Sequence, residues 1–325
     1  MTLVFSAYAL ANPSDGILRE KDCFGDTYEG FINSQINSND YGKAKRNRLE
    51  SILRSKVNKK EFQDLRANFT CKIIVYKSGL YPVGGILLTP NIEQEKKLPA
   101  VIFNRGGNGR FGALTYSDIF LHLKPIAEIG AVVLATQYRG GMELRDGPGE
   151  EVDEFGGRDV KDVTNIVHIA SQLPYVDKNQ IHMVGMSRGG MSAFLSLKEL
   201  DNIKSLTVIG SPSDLFKSLE ERPEMEEVLA YRVPNFTSNR DSEITKRSVI
   251  YWVKDLPRSV PILILHGSKD KRVSVEQAKA LANKLSTINH PHKLVIYDDY
   301  HGLPFSSGKM FNEIEAWIAE SKPND

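Results

Sequence analysis

Residues Ile181-His182-Met183-Val184-Gly185-Met186-Ser187-Arg188-Gly189-Gly190-Met191 join a short apolar run to a Gly-x-Ser-x-Gly turn, and then to a helix start that continues through Ala193, Phe194 and Leu197. A serine at a sharp strand-to-helix turn sits in strained backbone, so the residues two before and two after it must be small; Gly185 and Gly189 meet that need. The spacing therefore predicts Ser187 projecting from the end of a strand. The helix behind it offers unpaired N–H groups and a partial positive charge, which makes the Arg188 N–H a candidate donor to an oxyanion. The pentapeptide alone is a weak signal, because glycine-rich turns share it. The reading requires a carboxylate and a histidine at the ends of later strands.

Upstream, the apolar run Pro99 to Phe103 breaks into Asn104-Arg105-Gly106-Gly107-Asn108-Gly109-Arg110. The glycines let backbone N–H groups approach a ligand, so Gly106 or Gly107 is a second candidate oxyanion donor, with the Arg105 side chain as a possible source of charge; the alternative is a plain surface loop. A helix over about 117–128, a buried strand over 131–137 and a helical stripe over 158–173 follow. Downstream, Leu206 to Ile209 and Pro261 to Leu265 read as buried strands, the second running into His266-Gly267-Ser268-Lys269-Asp270. Helix 274–285, the strand His292 to Tyr297, the turn Asp298-Asp299-Tyr300-His301-Gly302 and a closing helix at 310–318 complete the series. Such alternation predicts an α/β fold, a mostly parallel twisted sheet with helices on both faces.

Two other regions have a different character. Residues 1–68 read as an N-terminal helical extension, with helical spacing over about 40–67, ahead of a main domain at 69–325 that opens with a hairpin over 71–77 and 81–89. From about 214 to 257, charges, prolines and scattered aromatics suggest a small helical cap inserted over the sheet's carboxyl edge, with Tyr251 and Trp252 lining a substrate pocket; a surface insertion is the alternative.

The chain has 325 residues, 41% hydrophobic and 26% charged, with a formal charge of +1, an ordinary balance for a globular protein. Nothing basic enough for nucleic acid stands out, and no apolar run is long enough to cross a bilayer. Leu3 to Ala11 resembles the apolar core and cleavage site of a secretory signal, but a basic start is missing, so export and a cytoplasmic location both stay open. Cys23 and Cys71 fit either one disulfide or two unrelated thiols. No metal site or cofactor motif is expected.

Ser187, Asp270 and His301 thus occur in the order nucleophile, acid, histidine, each directly after a predicted strand. A serine hydroxyl is a poor nucleophile until an imidazole takes its proton, and a carboxylate must hold that imidazole in the right tautomer. Asp298 and Asp299 read as shaping their turn, and His266 as structural.

Together with Tyr138-Arg139-Gly140, the His266-Gly267-x-x-Asp270-x-x-Val273 pattern, His301-Gly302 and the acidic segment Asp153 to Asp162, the serine turn resembles the catalytic domain of the prolyl oligopeptidase family of serine peptidases over about residues 72–320. The resemblance implies an α/β-hydrolase fold, with hydrolysis through an acyl-enzyme. It also implies that Arg139 pairs with Asp159 or Asp162 as scaffold. The sequence departs from the family's larger members, whose β-propeller grips peptides, and from relatives with His-Gly-Gly-Pro or a tyrosine as oxyanion partner. Short peptides or amides are the expected substrates, small esters the close alternative, and a non-catalytic scaffold the reading from another class.

Overall fold

The computed structural model describes residues 9–10, 16–37, 43–92, 97–142 and 152–321. Apart from Ala9 and Leu10, the signal-like stretch lies outside the described residues, as does 143–151 of the loop after Tyr138. In chain order the strands are β1 (Ala9–Leu10), β2 (Ile17–Asp22), β3 (Phe69–Ser78), β4 (Tyr81–Pro90), β5 (Leu98–Asn104), β6 (Val132–Thr136), β7 (Val176–Met186), β8 (Ile203–Ile209), β9 (Ile262–Gly267) and β10 (His292–Tyr297). They form one sheet ordered β1-β2-β3-β4-β6-β5-β7-β8-β9-β10, antiparallel from β1 through β4 to β6 and parallel from β6 to β10. This is the α/β-hydrolase arrangement.

The helices are α1 (Tyr28–Asn37), α2 (Lys43–Lys56), α3 (Lys59–Asn68), α4 (Tyr116–Asp118) and α5 (Lys124–Ala127) joined by a π-helical turn at Ile119–Leu123, α6 (Val160–Gln172), α7 (Arg188–Ser196), α8 (Leu215–Glu221), α9 (Met225–Arg232), α10 (Phe236–Arg247), α11 (Val275–Thr287) and α12 (Ser307–Glu320). Strand alternation assigns them to two layers. Ala100 and Ile102 of β5 and Val132 and Leu134 of β6 share a core with α6, α7, α11 and the cap. Val101 and Phe103, with Val133 and Ala135, share the other core with α1, α3, α5 and α12.

The N-terminal segment is more than the helical extension read from sequence. Residues Ile17–Asp22 pair antiparallel with β3 and widen the sheet, while Phe24, Phe31 and Phe62 pack against Tyr116 and Phe120 in the main core. The polar run Leu18-Arg19-Glu20-Lys21-Asp22 hides this strand from a hydrophobic-pattern reading, because Ile17 is its buried apolar anchor and Glu20 instead pairs across the ladder with Lys72 at 2.7 Å. The two cysteines form a disulfide, with Cα atoms 5.4 Å apart and a sequence separation of 48, so β2, α1, α2 and α3 are stapled to the start of β3.

The sequence order of parallel strands reverses between β5 and β7: the chain goes from β5 outward to β6, then returns to place β7 on the other side of β5. A crevice opens at the carboxyl ends of such strands, the usual ligand position in open α/β sheets. Removing the disulfide by replacing Cys23 and Cys71 with serine is expected to lower unfolding free energy by about 2–5 kcal/mol, from released loop entropy. Urea unfolding of the two forms measures this.

Candidate active site

At the end of β7, Ser187 adopts φ 53 and ψ −127, a left-handed backbone that a side-chain-bearing residue avoids at a cost of about 1–3 kcal/mol. Its N–H donates to the Ile209 carbonyl at 2.7 Å, pinning the turn to β8. Close packing explains both flanking glycines. A Cβ on Gly185 would lie 2.6 Å from the Gly189 carbonyl oxygen, and one on Gly189 would lie 2.0 Å from the Asn104 carbonyl oxygen.

Asp270 and His301 come from the loops after β9 and β10. The His301 Nδ1–H donates to Asp270 Oδ2 at 2.7 Å, a contact that in the neutral ring selects the tautomer whose Nε2 carries no proton. Asp270 Oδ1 accepts the N–H groups of Arg272 and Val273 at 2.8 and 3.0 Å. Burial would raise the Asp270 pKa, but the His301 hydrogen bond, with those of the two backbone N–H groups, holds it below the ordinary carboxylate value. Gly210, after β8, links this pair to the serine turn. It follows Ile209, the acceptor of the Ser187 N–H, and a Cβ on it would lie 3.3 Å from both Asp270 Oδ2 and His301 Nδ1. Sequence reading missed Gly210; its one signal is a glycine directly after a buried strand.

The competing acids and histidine have other duties. Buried Asp299 accepts the N–H groups of Tyr300, Phe305 and Ser306, and Asp298 pairs with Lys269 at 2.9 Å. His266 is kept neutral by burial, and its Nε2–H donates to the Val273 carbonyl at 2.9 Å, bracing the Asp270 loop.

On the other side of Ser187, Gly106 is the member of the glycine loop that meets it: a Cβ there would lie 3.1 Å from Ser187 Cβ and 3.7 Å from Oγ. Gly107 has a different task, accepting from Arg188 Nη1 at 3.0 Å through its carbonyl. Arg105 corrects the sequence reading most clearly. Its guanidinium is buried and donates to the carbonyls of Gln137, Gly106, Gly109 and Phe111, stitching the loop from beneath, so it offers no charge to an oxyanion. Burial, followed by repulsion from Arg188, pulls its pKa down to about 10, so it stays charged at neutral pH. Tyr138 is buried, its ring 5.0 Å from the Arg105 guanidinium and 4.7 Å from that of Arg188, and its hydroxyl donates to the Arg105 carbonyl. Burial pushes its pKa to about 12.

Arg139 pairs with Asp162 at 2.7 Å, and Asp162 also accepts the Arg139 N–H and the Ser78 hydroxyl. Asp159 serves Arg188 instead, with Asp153 3.3 Å from the same guanidinium; all three side chains are buried. Burial acts to raise the Asp159 pKa, but Arg188 and the N–H groups of Gly156, Glu154 and Gly157 lower it below its ordinary value. Sequence reading weighed only the backbone of Arg188. A buried arginine one residue after the serine, with a cluster of aspartates about thirty positions earlier, is the signal it passed over.

The pocket assignment is overturned for two residues. Trp252 is buried with Lys198 Nζ 3.6 Å above its ring, and Lys198 lies beyond the C-terminal end of α7, the opposite end from Ser187. Tyr251 donates to Asp214 and lies near Lys284, toward the end of α11. The cap is helical, but its last part drapes over the α7 face because Val249, Ile250, Trp252 and Val253 are drawn into that core. Aromatic residues in an insertion gave no sign of which face they would cover.

Replacing Arg188 with methionine leaves Asp159 and Asp153 buried without their cation, so a loss of about 3–5 kcal/mol is expected in chemical unfolding. Because the folded Asp159 pKa lies below its unfolded value, its contribution to stability is complete above about pH 4 and declines as pH falls through the carboxylate range. Asp159→Asn should therefore flatten the acid limb of a stability–pH curve; an unchanged limb would contradict the assignment.

Residues 117–322 match the family model described as the prolyl oligopeptidase family. Among curated proteins the chain is 25% identical over 265 residues to "Uncharacterized peptidase YtmA" of Bacillus subtilis (strain 168), spanning 81% of this chain and 98% of that protein. It is 24% identical over 219 residues to dipeptidyl-peptidase 5 of Porphyromonas gingivalis, spanning 66% of this chain but 32% of that protein. Among solved structures it resembles the Pyrococcus horikoshii acylaminoacyl peptidase, with a TM-score of 0.66 and 21% identity over 81% of this chain and 43% of that one. It also resembles acetyl xylan esterase 1 from Thermoanaerobacterium sp. JW/SL YS485, with a TM-score of 0.56 and 16% identity over 78% of this chain and 84% of that one. With a family match over more than half its length, the chain belongs to the prolyl oligopeptidase family of serine peptidases.

Proposed function

We propose that the chain hydrolyses short peptides or amides through an acyl-enzyme, with Ser187 as nucleophile, His301 as general base and then acid, and Asp270 as the group that orients it. The observation that carries this reading is the Asp270–His301 hydrogen bond, lodged against Gly210 beside the strained Ser187 turn. Ser187 Oγ attacks the substrate carbonyl carbon as His301 Nε2 takes the hydroxyl proton. The tetrahedral oxyanion is received by the N–H groups of Gly106 and Arg188, and collapse expels the amine, protonated by His301. Water then repeats the sequence on the acyl-serine. The N-terminus of α7 adds a favourable dipole at the oxyanion. Peptidase-named relatives support amide substrates. The Cys23–Cys71 disulfide supports an oxidising compartment.

A panel of aminoacyl- and peptidyl-nitroanilides beside p-nitrophenyl esters tests the substrate class; ester cleavage with amide turnover below detection would replace peptidase by esterase. Fluorophosphonate is expected to modify Ser187 in the wild type and to leave Ser187→Ala unlabelled. Failure to label the folded wild-type protein would return the chain to a non-catalytic scaffold. Asp270→Asn should lower kcat by about 10⁴-fold by stabilising the wrong imidazole tautomer.

A further inference from the structure

The glycine loop that brings Gly106 to Ser187 is held from two sides. Its inner side rests on Arg105, which binds the carbonyls of Gly106, Gly109 and Phe111. Its outer side is held by Arg232, the last residue of α9 in the cap. Arg232 Nε donates to Asn108 Oδ1 at 2.9 Å, and Nη1 lies 3.8 Å from Asp153 Oδ2. The absent side chain of Gly109 makes room for this guanidinium: a Cβ there would lie 2.4 Å from Arg232 Nη2. The Gly109 N–H donates to Asp153 Oδ2, while Asp153 Oδ1 faces Arg188. One buried carboxylate therefore joins the cap, the glycine loop and the residue after Ser187.

We propose that Arg232 is a positioning residue for the hydrolysis, a latch from the cap that fixes the Gly106 N–H opposite Ser187 by way of Asn108 and Gly109. The inference rests on the acyl-enzyme reading for its effect on rate, but the latch itself is a contact between cap and loop. Arg232 touches neither Ser187 nor His301 among the described contacts, so its influence passes through the loop. Oxyanion geometry is steep in distance: a misplacement of about 1 Å costs on the order of 100-fold in rate. A cap that is unseated from the loop would leave Ser187, His301 and Asp270 in place and still slow turnover.

The test compares wild type with Arg232→Ala, using steady-state kinetics and hydrogen exchange of residues 105–112. The variant should lose about 10- to 100-fold in kcat with little change in KM, since the oxyanion forms only after substrate has bound. Exchange in 105–112 should quicken about tenfold or more, with α7 unaffected. Millimolar guanidinium chloride, which can refill the vacated site, should restore part of the kcat, an effect that a general loss of stability would not give. Unchanged exchange in 105–112 would overturn the latch whatever the kinetics. Should the wild type cleave no amide or ester, the proposed function fails, while the exchange comparison still decides whether Arg232 holds the loop.

Discussion

The Arg188 guanidinium, enclosed by Asp159 and Asp153 and covered by the rings of Tyr138 and Phe155, is the interaction on which the site depends. It follows Ser187, one of the non-glycine residues held at positive φ. Ser187 carries a local cost of about 1–3 kcal/mol from its dihedral angles. Isolated, that turn would relax. Burying a charged pair gives little net stability over an apolar filling, yet leaving either partner alone costs about 3–5 kcal/mol, as much as the turn's strain or more. The pair thus opposes any relaxation of the serine turn that would draw Arg188 away from its carboxylates.

The same carboxylates set the position of the glycine loop. Asp153 accepts from Gly109, and the Arg188 guanidinium donates to Gly107, so the glycine loop and the serine turn are referenced to one charged centre. Tyr138 extends that centre, its ring within reach of both Arg188 and Arg105, where desolvation strengthens the cation–ring attraction. Two arginines in so small a volume would repel each other. Asp159 and Asp153 neutralise one of them, and carbonyl oxygens solvate the other.

The cap takes part in this arrangement at two points. Arg247 of α10 donates to the carbonyls of Phe155 and Glu154, and Arg232 of α9 reaches Asn108. Both act on the segments flanking Arg188. The cap aromatics that looked like pocket walls are core residues or lie beside the far end of α7, because an amphipathic insertion buries its apolar side on the nearest hydrophobic face.

The sequence by itself determined the alternating strands and helices from β5 onward, the serine turn and the order Ser187, Asp270, His301. Each rests on local physics: apolar runs of strand length, helical stripes such as Val163, Ile166, Val167 and Ala170, and glycines where close packing requires them. Tertiary structure alone decided what had no local signature. It chose Asp162 over Asp159 for Arg139, turned Arg105 inward and Gly106 toward Ser187, joined Cys23 to Cys71 and recruited polar β2 to the sheet. A long polar side chain has several partners of equal chemistry, a thiol can pair or stay reduced, and a polar strand has no apolar pattern of its own, so only the packing of distant segments decides each outcome.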